Sequence, residues 1–445
     1  MAESTNRPGA VTTRLILKTW WPLAFSWLLM SVEMPAISAV IARLANPEIN
    51  LAAYGGVVFP LALIIEAPVI MLLGASTALS KHMQAYRRIW QYMMAAGGLL
   101  TALHILVAFT PLYYIVVRGV IGVPEEIVEP ARIGLMLMLP WTWSIAYRRF
   151  NQGVMIRFGH SGAIGMGTIV RLVTGGVILA AGYSFGGLPG VAVGAAAQGL
   201  GVLSEAIYTG WRVRPVLRGE LAHAPITEPL TWRAFAAFYV PLALTSLILL
   251  LWQPVGSAAL SRMPDALNSL AVWPVLSGLM FLLRSSGIAY NEVTVALIDR
   301  EGAYPKMRRF TLWMAVVTTI AHLLIAATPL AWLYFSRLSA LPADLAQMAS
   351  LGFWIALPIP ALTVLQSWFQ GSILAGKRTR GVPESVVVFF VTVLAVLAAG
   401  VAWGSTQGLF VNMTGFVLAN AAQMAWLAVR GRPVLKALAK STASR

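Results

Sequence analysis

The sequence predicts an all-α polytopic membrane protein, twelve transmembrane helices arranged as two parallel six-helix bundles. Three observations carry this expectation. Of 445 residues, 58% are hydrophobic and 11% are charged, where a soluble globular chain carries about 25% charged residues. Apolar runs such as LMLMLPWTWSIAY and SVVVFFVTVLAVLAAGVAW are continuous; they suit helices, which need about 20 residues to cross a hydrocarbon core of about 30 Å, and lack the alternation of a transmembrane barrel. Finally, the chain repeats itself: HILVAFTPL at 104–112 returns as HLLIAATPL at 322–330, 218 positions further on.

Taken in order, the first span is expected at 19–44, after a basic start. That pattern also fits a signal peptide, but the repeat pairs WPLAFSWLLMSVEMPAISAVIARL with VPLALTSLILLLWQPVGSAALSRM, 219 positions on, so the segment reads as a helix. Spans two to six are expected at 52–80, 89–117, 131–149, 163–183 and 188–211, each ended by basic or Gly/Pro-containing segments. Their partners are spans seven to twelve, at 235–262, 269–298, 310–335, 347–369, 382–403 and 407–429. LAAYGG resembles LAVWP, AYRR resembles AYPK, and LPWTWSIAYRRFNQG resembles LPIPALTVLQSWFQG, with the offset read as 218 from the second helix on. One register held over about 200 residues points to duplication, and its period excludes a solenoid of 20–50-residue repeats. Six helices per half is an even number, so both halves enter the membrane in one direction, with a substrate path expected at their interface near the midplane. The expected organisation is 1–216, an N-terminal bundle; 217–234, a polar, proline-containing linker (LRGELAHAPITEPLTWR); and 235–445, a C-terminal bundle.

The net charge of +16 has a place in this topology. With both termini on one side, the loops there hold 25 of the 32 Lys and Arg, Arg7, Arg148, Arg149, Lys377, Arg378, Lys440 and Arg445 among them, while the other face holds Arg43, Arg118, Arg132, Arg262 and Arg337. The positive-inside rule makes this a multi-pass plasma (inner) membrane protein with both termini cytoplasmic. The basic balance is then a topology signal that also attracts anionic lipid headgroups, and no nucleic-acid partner is expected. The absence of cysteine removes disulfides, thiolate metal sites and cysteine nucleophiles. Five scattered histidines, with no HExxH spacing, give no metal or enzyme constellation. No cofactor, no metal and no enzymatic activity are expected.

Function has to come from polar groups inside the spans, where charge is costly. Glu33 stands beside Pro35 in the first span, and Glu66 stands mid-helix between Pro60 and Pro68. Arg284 occupies the place equivalent to Glu66, 218 positions on. The expectation is that Glu66 and Arg284 point into one central cleft and balance each other, unless they form a structural pair. A guanidinium fork suits carboxylate or phosphate, which makes Arg284 the best candidate anion contact; Glu66, as an intramembrane charge, and Arg171 are further candidate substrate contacts, although Arg171 is also placed to snorkel to the surface. Glu33, Glu66, Glu205 and Glu292 are the candidate ion-coupling groups; Glu205 aligns with Gln423, and packing within its bundle explains it equally well. His104 and His322 read as hydrogen-bonded packing groups, and Gln198, Gln253 and Gln366 as helix-to-helix bonds or a polar path.

A secondary transporter or flippase fits these features better than a membrane enzyme or a receptor. The loop SKHMQAYRRIW lacks the signature of major facilitator proteins. The segments RRFNQGVMIRFGHSG and SWFQGSILAGKRTRG resemble a helix-ending element of the multidrug/oligosaccharidyl-lipid/polysaccharide exporter (MOP) superfamily, which includes MATE transporters. Within it, SVEMPAISAVIARL, LAAYGGVVFPLALIIEAPV, FYVPLAL, QPVGSAALSRM and FQGSILAGKRTRGVPES resemble the progressive ankylosis protein family. That resemblance implies a MATE-like fold, a monomer working by alternating access, and export of a small organic or phosphate-bearing anion of the pyrophosphate, nucleotide or citrate class, coupled to a proton or sodium. The alternatives are a MATE-like drug exporter and a flippase of a lipid-linked substrate. The resemblance does not extend to the acidic tail of vertebrate members, whose place here reads KALAKSTASR, so regulation through such a tail is not expected.

Overall fold

The computed structural model describes residues 11–226, 228–300, 302–376 and 380–443, with side chains as far as 437; Arg7, Lys377, Arg378, Arg445 and the side chain of Lys440, counted above with the basic face, lie outside these limits. Twelve helical segments follow one another: α1 (Thr13–Ile41), α2 (Pro47–Glu66, continued by Leu72–Leu79), α3 (Met83–Phe109), α4 (Val128–Leu137 and Leu139–Arg157), α5 (Gly162–Phe185) and α6 (Gly190–Arg218). The second half gives α7 (Trp232–Leu260), α8 (Ala266–Leu297), α9 (Ala303–Ala327), α10 (Ala343–Ile355 and Ile359–Ala375), α11 (Gly381–Trp403) and α12 (Gly408–Ala443). Among the described residues, nine helices are long and apolar enough to cross a membrane, ten with the bent pair of α10 counted as one span. The protein is a multi-pass membrane protein, and α4 and α12 complete the twelve segments that the sequence predicts.

Local chemistry sets the ends. Thr12 and Thr231 begin α1 and α7 by accepting from the amides of Leu15 and Ala234, each at 3.1 Å. Gly186 and Gly404 end α5 and α11 in the left-handed region, at φ 66° and 65°, where a side chain would be strained. Pro68 follows the break that ends the main part of α2, and the carbonyls freed there find partners on α7: Tyr239 donates to Pro68 at 2.5 Å and Ser246 to Ala67 at 2.8 Å.

The repeat is visible as recurring bonds. His104 donates to the Leu135 carbonyl at 2.9 Å, and His322 donates to the Phe353 carbonyl at 3.0 Å. Asn50 accepts from the Val191 amide and Ser269 from the Leu409 amide, at 3.0 and 3.1 Å. The offset moves from 219 to 218 inside α2, not at its start. The five residues Tyr54–Val58 form a π-helical turn there, and a π-bulge carries one extra residue. At this turn Gly55 meets Pro274, its own equivalent in the other half, so the pseudo-two-fold passes between α2 and α8. An added Cβ at Gly55 would collide with the Pro274 ring.

Each half lends the start of its first helix to the other. Val11 and Ile16 are buried with Tyr290, Met307 and Phe310, and Trp20 donates to the Ser286 carbonyl at 2.9 Å. Phe235 and Tyr239 are buried with Leu72, Ile89 and Phe150. At the opposite end the halves are joined by a symmetric clasp. Arg43 donates to the Arg337 carbonyl at 2.8 Å, and its equivalent, Arg262, donates to the carbonyls of Ile121 and Val120 at 2.7 Å each. Both receivers end π-helical segments, Ile115–Ile121 and Tyr334–Leu338.

Two sequence expectations are corrected here. Arg148 and Arg149 do not belong to a cytoplasmic loop: α4 continues to Arg157, and Arg148 is 4% exposed inside the first half. Three glutamates there supply the counter-charge that a hydropathy profile cannot see. The last span is also longer than expected, because α12 continues past 429 to Ala443.

Candidate functional site

In the N-terminal half, α1, α2, α4, α5 and α6 bring three glutamates and three arginines into one buried nest. Glu205 is its hub. It accepts from Arg148 at 2.5 Å and from Gln152 at 3.0 Å, and lies 3.6 Å from Arg171. Arg171 also meets Glu33 at 3.4 Å, so it is held between two carboxylates and does not snorkel. Glu33 faces the interior of this half beside Gln198 and borders a recess of about 160 Å³ between α1, α5 and α6. Glu66 is 1% exposed, near Arg148, Arg149 and the Trp141 indole, and its Oε2 has no hydrogen-bond partner. Burying so many charges is tolerable only because they compensate one another.

The C-terminal half repeats the backbone and reverses the chemistry. Gln366 and Gln423, the equivalents of Arg148 and Glu205, meet at 3.4 Å as neutral amides. The equivalents of Glu33, Arg171 and Gln198 are Trp252, Phe389 and Phe416, an aromatic cluster with ring centroids 5.1 to 6.1 Å apart. Beside it stands Arg284. Its Nε donates to the Thr363 hydroxyl at 2.9 Å, and its guanidinium lies 5.2 Å from the centroid of the Phe416 ring. Among the described residues no carboxylate pairs with it.

Arg284 lines a cavity of about 420 Å³ formed mostly by α7, α8, α11 and α12 and bordered by Met34 of α1 and by Phe59 and Leu63 of α2. The walls are aromatic and apolar, with Gln253, Ser277, Asn420 and Gln423 as further polar groups, and Arg284 is the charged residue among them. The size suits a small-molecule site, typically about 300–1,000 Å³.

The chain is similar over 95% of its length to an inward-facing multidrug resistance MATE family transporter of the MOP superfamily, covering 99% of that chain at 18% identity and a TM-score of 0.66. It is similar over 96% to an outward-facing MATE family transporter, covering 96% of that chain at 16% identity and a TM-score of 0.60. A MOP superfamily transporter from Pyrococcus furiosus, in which reverse polarity of the binding pocket suggests a different function, matches over 97%, with 99% of that chain covered, 16% identity and a TM-score of 0.63. The fold is that of the MATE transporters. No family model and no curated protein matches the sequence.

The expected Glu66–Arg284 pair is corrected by this geometry. Glu66 is buried in its own half, Arg284 faces the cavity, and the two do not share a cleft. Equivalent positions lie on the same kind of helix, but whether each points inward depends on what its own half packs against it. Glu292 is exposed on α8 and accepts from Trp27 at 3.3 Å. Gln253 lines the cavity, while Gln366 bonds the Asn420 carbonyl at 2.9 Å. Arg148, Arg149 and Gln152 escaped the sequence reading because they follow a Trp-rich span and look like the end of a helix. The cavity aromatics escaped it because Trp and Phe are ordinary membrane residues. The repeat register carries a signal for the aromatics, since the positions of Glu33, Arg171 and Gln198 return as Trp252, Phe389 and Phe416.

Proposed function

We propose that this chain is a secondary transporter that works by alternating access and carries a small organic anion held by Arg284. The observation that carries the reading is the cavity itself, bordered by helices of both halves and containing an arginine with no carboxylate partner among the described residues. A fold known in inward- and outward-facing MATE structures and the progressive ankylosis motifs support it. Among the described residues no carboxylate lines the cavity, which disfavours a cationic drug, and its single cation disfavours a lipid-phosphate path basic throughout its depth. The bodies that move are residues 1–216 and 235–445, with the termini in the cytoplasm. The coupling cation, proton or sodium, acts on the nest of Glu33, Glu66 and Glu205, where Glu66 has an oxygen free to receive it.

The test is flux from proteoliposomes loaded with a panel of organic and phosphate-bearing anions, under an imposed proton or sodium gradient. Gradient-driven anion flux is expected in the wild type, with a fall of at least about 10-fold in Arg284→Ala, the loss of one charge-assisted contact. Glu33→Gln is expected to flatten the dependence of flux on the driving gradient. Unchanged anion flux in Arg284→Ala would overturn the assignment of the site.

A further inference from the structure

We infer that the Arg284 cavity takes an amphiphilic monoanion, one carboxylate or sulfonate on an aromatic or branched apolar body, and not a hydrophilic polyanion. The inference rests on the transporter reading above and narrows its substrate class. The cavity has a single charged lining residue, so one negative charge is balanced and further charges are not. A citrate- or pyrophosphate-like ligand would bring several charges into walls of Trp252, Trp273, Phe281, Phe389 and Phe416, where an uncompensated ion is poorly tolerated.

The arginine is also oriented for a single head group. Thr363 takes its Nε, and the Phe416 ring centroid lies 5.2 Å from the guanidinium carbon, leaving the two terminal NH₂ groups as the donors for a carboxylate. The remaining polar groups, Gln253, Ser277, Asn420 and Gln423, are neutral and supply orientation without charge. Met34, Met280 and Met413 complete the apolar part of the lining, and methionine adapts its shape to varied apolar bodies. In the N-terminal half, Arg148 and Arg171 are paired with carboxylates within the nest.

The experiment is calorimetric titration of the purified full-length chain in detergent with four probes: indole-3-acetate, its neutral analogue indole-3-acetamide, citrate and inorganic pyrophosphate. Saturable binding of indole-3-acetate is expected, with the acetamide at least about 10-fold weaker, as expected from removal of a charge-assisted pair. Citrate and pyrophosphate are expected to give no saturable heat. Arg284→Gln should bind acetate and acetamide equally weakly, and Trp252→Ala should weaken both by one common factor. Elution as a single species qualifies each variant; if Arg284→Gln does not pass, Arg284→Lys replaces it and is expected to keep a reduced preference for the acetate. Binding of citrate or pyrophosphate that is tighter than that of indole-3-acetate and is lost on substitution of Arg284 overturns the monoanion class and leaves the anion-transporter reading standing. Binding of no anion, or anion binding indifferent to Arg284, overturns both.

Discussion

Arg148 and Glu205 hold each other at 2.5 Å, with side chains 5% and 0% exposed, where the other half has Gln366 and Gln423. The repeat therefore supplies its own control. Glu205→Gln leaves Arg148 facing an amide and Arg171 with Glu33 alone, and removing one partner of a buried pair costs about 3–5 kcal/mol. A pronounced drop in melting temperature in detergent is expected. The double variant Arg148→Gln, Glu205→Gln copies the amide pair of the C-terminal half, and recovery of most of that loss is expected. A double variant no more stable than the single one would show that the nest is organised by Arg171 and Glu33 instead. Glu66 and Arg284 teach the same lesson from the other side: the sequence placed them correctly on α2 and α8, but only packing turned one into the nest and the other into the cavity.

Helices α2 and α4 touch through Gly153, and α8 and α10 touch through its equivalent, Gly371. A Cβ at Gly153 would run into the Ser76 hydroxyl and the Leu73 carbonyl, and one at Gly371 would come within 2.6 Å of Thr294 Cβ and 2.9 Å of the Asn291 carbonyl. Small residues let helices in a membrane approach this closely, and packing and polar contacts bind them where the hydrophobic effect cannot. Gly153→Ala and Gly371→Ala are each expected to cost about 1–3 kcal/mol or more through overpacking. Gly165→Ala on α5, which meets nothing within 4 Å, is expected to be neutral or slightly stabilising. Thermal unfolding of the three variants checks this, and a Gly165→Ala loss equal to the others would remove packing as the explanation. The repeated QG of the two halves was legible in the sequence; the partner surface was not, because it lies 77 to 80 residues away along the chain.

Across the whole molecule, the Arg43 and Arg262 clasp ties the two halves at the end opposite the crossed starts of α1 and α7. Each arginine reaches carbonyls at the end of a π-helical segment of the other half, where the last carbonyls of a helix lack partners of their own. Hydrogen bonds to a charged group are worth about 1.5–3 kcal/mol each. Removing both arginines, and with them three such bonds, is expected to shift an open–closed equilibrium at this end by at least about 1,000-fold. The chain has no cysteine, so spin labels on cysteines introduced at Val120 and Leu338, both exposed at 63% and 60%, report their separation without background. A longer-distance population is expected in Arg43→Ala, Arg262→Ala and not in the parent. Identical distance distributions would mean that the clasp does not hold this end closed.

The sequence by itself determined the membrane class, the helical segments and the duplication, because each of these is written in local composition and in a register that chance cannot maintain. It also marked Arg284, Glu33 and Glu205 as costly groups needing a purpose. Tertiary structure alone decided which charges neutralise one another. Counter-ions come from different helices, such as Glu205 for Arg148 and Glu33 for Arg171, and no local pattern links them. It decided as well that two halves with one backbone plan have opposite interiors, a largely buried ionic nest in one and an aromatic cavity with a lone arginine in the other. The physical reason is that a repeated fold fixes where a side chain stands, while the energy of a buried charge depends on what stands across from it.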